Sequence, residues 1–199
     1  RLGHGRPDGP LFDRPRKTFF PSATAMLARR EFFERAGNFE EAFFAYLEDV
    51  DLGLRAALLG LEGVYVPEAV AYHRASSTLG AWTPETVKWI TRNQLLLLAK
   101  YYPASMAVRF WRAVVAAQAL WGWLAASRRC KLAYIRGLAG GLAGGRAIRR
   151  SGTPWRANGN RLAEILVRSE GELAFLQETG GWDDYWRWYF RLAPQEAPP

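Results

Sequence analysis

Phe43-Phe44-Ala45-Tyr46-Leu47-Glu48-Asp49-Val50-Asp51-Leu52-Gly53-Leu54-Arg55 is the stretch on which the fold turns. Three carboxylates fall within four positions there, between an aromatic run and an apolar helix pattern. His73, one of two histidines, follows 24 residues after Asp49. Leu47, Val50, Leu54 and Leu58 share one helical face, which places Glu48, Asp49 and Asp51 in the first turn of a helix. Gly60 ends it as a C-terminal cap would.

Two readings of the carboxylates compete. Acidic side chains complement the positive end of a helix dipole, worth roughly 0.3–1 kcal/mol each. Asp51 suits that account, because Arg55 stands four residues on in the favourable acid-before-base order. Glu48 and Asp49 have no such partner, and Gly53 is expected to leave open space beside Asp49. In the second reading Asp49 is a general base at a helix start, with aromatic walls that limit water. Phe43, Phe44 and Tyr46 are candidates for those walls, although Phe43 and Phe44 fit better as core anchors.

Four segments recur in register between Phe19 and Thr78: Ser22-Ala23-Thr24-Ala25-Met26-Leu27-Ala28-Arg29-Arg30, Phe33-Glu34-Arg35-Ala36-Gly37-Asn38-Phe39-Glu40-Glu41-Ala42-Phe43-Phe44, Glu48-Asp49-Val50-Asp51-Leu52 and His73. Together they resemble the second half of the catalytic domain of family 2 inverting glycosyltransferases, in the bacterial rhamnosyltransferase-like group. The resemblance implies an α/β fold, the acceptor-side half of a GT-A type nucleotide-diphospho-sugar transferase, followed by a mainly helical C-terminal region. It implies that Asp49, beside Glu48, deprotonates an acceptor hydroxyl that attacks the anomeric carbon of a nucleotide-sugar. It also implies that His73 helps to hold a divalent cation, Mg or Mn, on the departing diphosphate, and that Thr24, Tyr46 and Asp51 contact substrate. Those residue types suit the chemistry, an oxygen base for a hydroxyl proton and a neutral imidazole for a metal. Ala23 departs from the Ser-Gly-Ala type of segment, which bears on the donor-side backbone contact and not on the base.

Outward from this stretch, the 199 residues are 49% hydrophobic and 23% charged, the composition of a globular chain with a sizeable core. The single Cys130 excludes an intramolecular disulfide framework and suits a reducing compartment. No cleavable signal opens the chain, which does not start with Met, so we expect part of a longer protein. Positions 1–17 read as a Gly/Pro-rich loop in which His4 is a solvated residue rather than a ligand. A strand is expected over Phe19 to Ala28 and a short helix over Arg30 to Ala36, ended by Gly37. Two more strands are expected over Gly63 to Val66 and Ala69 to His73, with His73 at a strand end and Ser76, Ser77 and Thr78 in a mobile loop.

From Thr83 the pattern turns helical. Thr83-Pro84-Glu85 starts a helix that runs to Lys100 and stops at Tyr101-Tyr102-Pro103. Arg92-Asn93 within it resembles a segment of the same glycosyltransferase group, and ion pairing with the acidic helix is the plain role for it. Ala113 to Ser127 would span about 22 Å as a helix against about 30 Å for a bilayer core, too short to cross. With Trp111, Trp121 and Trp123 among arginines it either lies at lipid headgroup level or packs as a core helix.

Between Glu85 and Glu164 there are 14 Lys or Arg and no Asp or Glu, which localises the net charge of +8 in the helical half. That surface favours an anionic membrane, at roughly 1 kcal/mol per basic residue. Nucleic acid is not expected as a partner, since no motif for it is present. The glycines at 137, 140, 141, 144 and 145 fit neither the dinucleotide nor the P-loop spacing and read as close helix packing or a glycine-broken helix. Positions 151–160 read as a linker, 161–178 and 182–192 as helices, and 193–199 as a disordered tail.

We therefore expect three segments: 1–80, the transferase part; 81–150, basic amphipathic helices at a membrane surface; and 151–199, a helical tail. The reading as a whole is an enzyme of cell-envelope glycan synthesis on the inner, cytoplasmic face of the membrane. It uses a nucleotide-sugar donor and a glycan or lipid-linked acceptor, and this chain alone is inactive for want of the donor-binding half. A non-catalytic membrane-surface module is the alternative. A glycoside hydrolase using Glu48 and Asp49 is disfavoured, because its carboxyl groups must flank a bond about 5 Å or more apart.

Overall fold

The computed structural model describes residues 7–74, 79–151, 153–156 and 158–193. His4, the Ser76–Thr78 loop and the tail beyond Ala193 lie outside the described residues. Two short strands, β1 (Arg16–Thr18) and β2 (Gly63–Tyr65), pair antiparallel with Lys17 opposite Val64. The helices are α1 (Arg30–Ala36), α2 (Glu48–Leu58), α3 (Pro84–Tyr101), α4 (Ala104–Arg109), α5 (Trp111–Ser127), α6 (Lys131–Ser151), α7 (Thr153–Arg156), α8 (Gly159–Gly180) and α9 (Asp184–Leu192).

α3 is the spine. The Thr83 side chain accepts from the Thr86 amide and Pro84 occupies the first turn, so its N-terminus is capped and preset. Tyr101 joins Leu54 of α2, Met106 of α4, and Leu162 and Ala163 of α8 in one core cluster. Leu96 joins Phe43 and Ile148 in a second. Val87 joins Ala125, Cys130 and Ala133 in a third. α6 lies along α3 because its glycines remove the side chains that would keep the backbones apart. A Cβ on Gly137 would stand 2.6 Å from the Thr91 Cβ, and one on Gly141 2.7 Å from the Leu95 Cβ. α6 is unbroken, so of the two roles expected for these glycines the structure shows close helix packing.

α2 begins where expected and packs on two sides, with Leu54 toward α3 and α8, and Leu52 and Ala56 toward Ala36 of α1. Gly53 departs from expectation. The place of its missing side chain is occupied by the Phe19 carbonyl, 2.6 Å from an added Cβ, and by Phe20. The glycine admits a neighbouring backbone rather than leaving space beside Asp49.

Two expected strands do not form. Positions 19–28 hold a 3-10 turn, Ala23–Ala25, closed by Ser22, and 69–73 are irregular. Pro21 has no N–H for a ladder, and among the described residues neither segment has a strand beside it to pair with. The expected 151–160 linker is largely helical, holding α7 and the start of α8.

Candidate active site

The approach to Glu48 and Asp49 is an unusual backbone path. Phe44 (φ 59°, ψ −67°), Tyr46 (φ 68°) and Leu47 (φ 67°) all carry positive φ. Left-handed non-glycine residues of this kind cost of order 1–3 kcal/mol each and persist only where surroundings over-determine them. At Phe44 the turn is closed by a bond from the Ala45 amide to the Phe43 carbonyl at 2.7 Å, the rarer and more strained form of γ-turn. Phe43 then drops into the core, fully buried, while Phe44 swings outward, 72% exposed, with its ring 5.1 Å from that of Trp89. The core-anchor reading therefore holds for Phe43 and is corrected for Phe44. A γ-turn between two neighbouring aromatics sends them to opposite sides.

Asp49 emerges half-buried in the first turn of α2. Its Oδ1 accepts from the Val50 amide at 2.9 Å and its Oδ2 from the Ala23 amide at 3.2 Å. The second bond unites two segments 26 residues apart, the Ser22–Thr24 turn and the acidic helix start. Ser22 Oγ shapes that turn by accepting from the Thr24 amide at 3.5 Å and donating to Thr24 Oγ1 at 3.1 Å. Each carboxylate oxygen has two lone pairs, so both retain capacity for a further hydrogen bond. Glu48 is half-buried beside it, and Thr24 is exposed at the same edge.

Tyr46 is half-buried, with its hydroxyl 3.2 Å from Thr86 Oγ1 at the start of α3. Asp51, expected to contact substrate, is corrected. It is fully buried, its Oδ2 accepts from Arg55 Nε at 3.0 Å, and its Oδ1 takes both Lys100 Nζ at 2.7 Å and the Tyr101 hydroxyl at 2.7 Å. A carboxylate so enclosed has no face left for a substrate. Lys100 also reaches Glu40 at 3.1 Å, so two cations meet two anions. Arg55 continues to the carbonyls of Ala36 and Asn38 and ties down the end of α1. Burial, and then the Asp51 charge, hold the Tyr101 phenol well above its ordinary range, so it remains a donor.

His73 is exposed in irregular chain, and among the described residues no three His, Cys, Asp or Glu side chains converge. These residues do not build a metal centre, and His73 offers at most one imidazole to a cation held elsewhere. Sequence reasoning singled out Asn93 with Arg92 without a chemical role for it, and it missed Lys100 and Tyr101 as parts of this region. The signal was available for two of them: Asn93 and Lys100 lie at i and i+7 around Leu96, two polar residues on the buried stripe of α3. Among the described residues, the bonds of Arg92 and Asn93 go elsewhere than to the side chains of the acidic helix. Both residues donate to backbone carbonyls of the loop before it.

The sequence matches the family described as Glycosyl transferase family group 2 over residues 5–143. N-acetylglucosaminyl-diphospho-decaprenol L-rhamnosyltransferase of Mycobacterium tuberculosis is 48% identical over 58 residues, 29% of this chain and 19% of that protein. Rhamnosyltransferase WbbL of Escherichia coli is 33% identical over 75 residues, 38% of this chain and 28% of that protein. A probable glucomannan 4-beta-mannosyltransferase 6 of Oryza sativa subsp. japonica is 34% identical over 93 residues, 46% of this chain and 16% of that protein. The matched stretches thus span between 16% and 28% of the length of these relatives. No solved structure matches the chain.

Proposed function

Because the chain belongs to glycosyl transferase family group 2, we propose that it is the acceptor-side part of an inverting enzyme that moves a sugar from a nucleotide-sugar to a hydroxyl of a cell-envelope glycan or lipid-linked acceptor. The observation that carries this reading is the Asp49 carboxylate, fixed by the Ala23 and Val50 amides at a helix start, with acceptor capacity left and Thr24 and Glu48 beside it. An acceptor O–H within hydrogen-bond reach gives its proton to Asp49 as the oxygen closes on the anomeric carbon. The bond from that carbon to the nucleoside diphosphate breaks on the opposite face, so configuration inverts. A divalent cation, Mg or Mn, would offset charge on the leaving diphosphate, with His73 as one contact, and no step taken by Asp49 depends on it.

The rhamnosyl relatives favour a deoxyhexose donor and, for one of them, a diphospho-polyprenol acceptor, while the mannosyl relative favours a hexose donor. The sheet side supports a separate donor-binding unit. A two-stranded ribbon is marginal alone in water, and Val64 within it, Val66 just after it, and Leu27, Val70 and Tyr72 elsewhere in the 1–80 part are exposed. Such a unit packed there would bury them.

The test is a transfer assay on the longest natural chain that carries these residues. Asp49→Asn is expected to lower kcat by about 10²–10⁴-fold with the donor KM little changed. Wild-type turnover by Asp49→Asn would overturn the assignment. The 199-residue chain alone is expected not to turn over with any nucleotide-sugar and Mn²⁺ or Mg²⁺.

A further inference from the structure

Asn93 sits at the middle of α3, fully buried, 50 residues from the loop it touches. Its Nδ2 lies 2.8 Å from the Phe43 carbonyl, 2.8 Å from that of Ala45 and 2.7 Å from that of Tyr46. An amide nitrogen has two hydrogens, so the three carbonyls share them. Only carbonyl oxygens face this atom, which settles the orientation of the amide, because the opposite flip would set oxygen against oxygen. Its Oδ1 accepts from Arg92 Nη1 at 2.8 Å, and the same Nη1 donates to the Ala42 carbonyl at 2.8 Å. Four carbonyls of a five-residue path are therefore gripped from one turn of one helix. That path holds two of the three positive-φ residues that lead into α2, and the third, Leu47, is its N-cap.

We propose that Asn93, oriented by Arg92, is a positioning residue for catalysis: it holds the strained 42–46 path so that α2 begins at Leu47 and presents Asp49 to the acceptor hydroxyl. The inference rests on the reading of Asp49 as the base. A carboxylate at position 93 would face three carbonyl oxygens and repel them, and a methyl group would leave them without a donor in the core. Either change frees the path to relax away from positive φ. The start of α2 then shifts, and the Ala23 bond to Asp49 goes with it.

Two measurements separate this from a merely structural role. The first is amide hydrogen exchange on the 199-residue chain, comparing wild type with Asn93→Ala and Asn93→Asp. Exchange at the 44–50 amides is expected to rise by about tenfold or more while the amides of α6 keep their protection. The second is kinetics in the longest natural chain. Asn93→Ala is expected to lower kcat by about 10²-fold with the donor KM near its wild-type value, since misplacement of about 1 Å costs that much. It should add nothing to Asp49→Asn, since both act through one group.

Unchanged exchange at 44–50, or a full additional loss on top of Asp49→Asn, overturns the proposal. If Asn93→Ala unfolds, α6 exchanges as well. Arg92→Met, which removes the bonds to Asn93 Oδ1 and to the Ala42 carbonyl but leaves the Asn93 amide in place, is then expected to loosen 42–47 alone, and uniform loosening in that variant too overturns the proposal. A faster-exchanging loop together with an active Asp49→Asn enzyme would instead retire the base and leave the clamp.

Discussion

Asp49 and Asp51 are two residues apart on α2, so at 3.6 residues per turn their side chains leave the helix about 200° apart. One half faces solvent beside the Ser22–Thr24 turn, and the other is sealed under α3. The same residue type thus has opposite duties, and mutation should separate them. Asp51→Asn removes the carboxylate that buried Lys100 and Arg55 share and leaves Glu40 beside Lys100 alone. Breaking a buried ion pair from one side costs about 3–5 kcal/mol. Urea unfolding of the 199-residue chain is expected to show that loss for Asp51→Asn and less than about 1 kcal/mol for the part-exposed Asp49→Asn. Equal midpoints for the two variants would mean that the Asp51 cluster is not the support described here. The Asp51–Arg55 pair was legible in the sequence because its spacing is local. Lys100 and Tyr101 were not, because 49 or 50 residues separate them from Asp51 and nothing in a linear pattern shows which buried polar groups meet.

Elements were legible where local signals coincide and illegible where a partner is required. α1, α2 and α3 begin and end within about two residues of their expected bounds because glycines, a capping threonine and prolines punctuate them. The segment 19–28 misled because local composition does not supply a neighbouring strand to pair with. The glycines of α6 left two outcomes open, and the position of α3 decides between them. Gly137→Ala forces a methyl group against the Thr91 Cβ and the Lys88 carbonyl, neither of which is a free-swinging end. The expected loss is about 1–3 kcal/mol, as for other overpacked sites. Gly171 lies within α8 with nothing within 4 Å of an added Cβ, so Gly171→Ala is expected to stabilise by about 0.4–1 kcal/mol through the unfolded chain. Thermal melts of the two variants should move in opposite directions, and a stabilised Gly137→Ala would contradict the close α3–α6 contact.

Over the whole molecule, the helical half that holds the net positive charge also carries exposed apolar surface. No helix of the described residues is long and apolar enough to cross a membrane. α5 is nevertheless not an ordinary core helix, because only Ala116 and Ala125 are buried and Trp111, Val115 and Trp123 stand 57%, 57% and 67% exposed at four- or eight-residue spacing. Its other side is occupied: Trp121 stacks on Trp82, and Ala117 accepts from the Tyr185 hydroxyl of α9. α6 likewise turns its glycine side to α3 and leaves Leu132, Ile135 and Leu142 exposed, with Lys131, Arg136 and Arg146 near them in sequence. α5 and α6 carry cations and no acidic residue, and we propose an anionic bilayer surface as the partner of their apolar stripes, since lipid provides both the apolar depth and the charge. Co-sedimentation of the 199-residue chain with vesicles is the check. Binding is expected to phosphatidylserine-containing vesicles and not to pure phosphatidylcholine, and to fall steeply with added salt as the charges are screened. Trp111→Ser with Trp123→Ser should weaken binding at low salt, and Arg136→Glu with Arg146→Glu should abolish its dependence on lipid charge. Binding that ignored lipid charge, or that survived all four changes, would overturn the membrane surface expected from the sequence and leave the transfer chemistry at Asp49 standing without it.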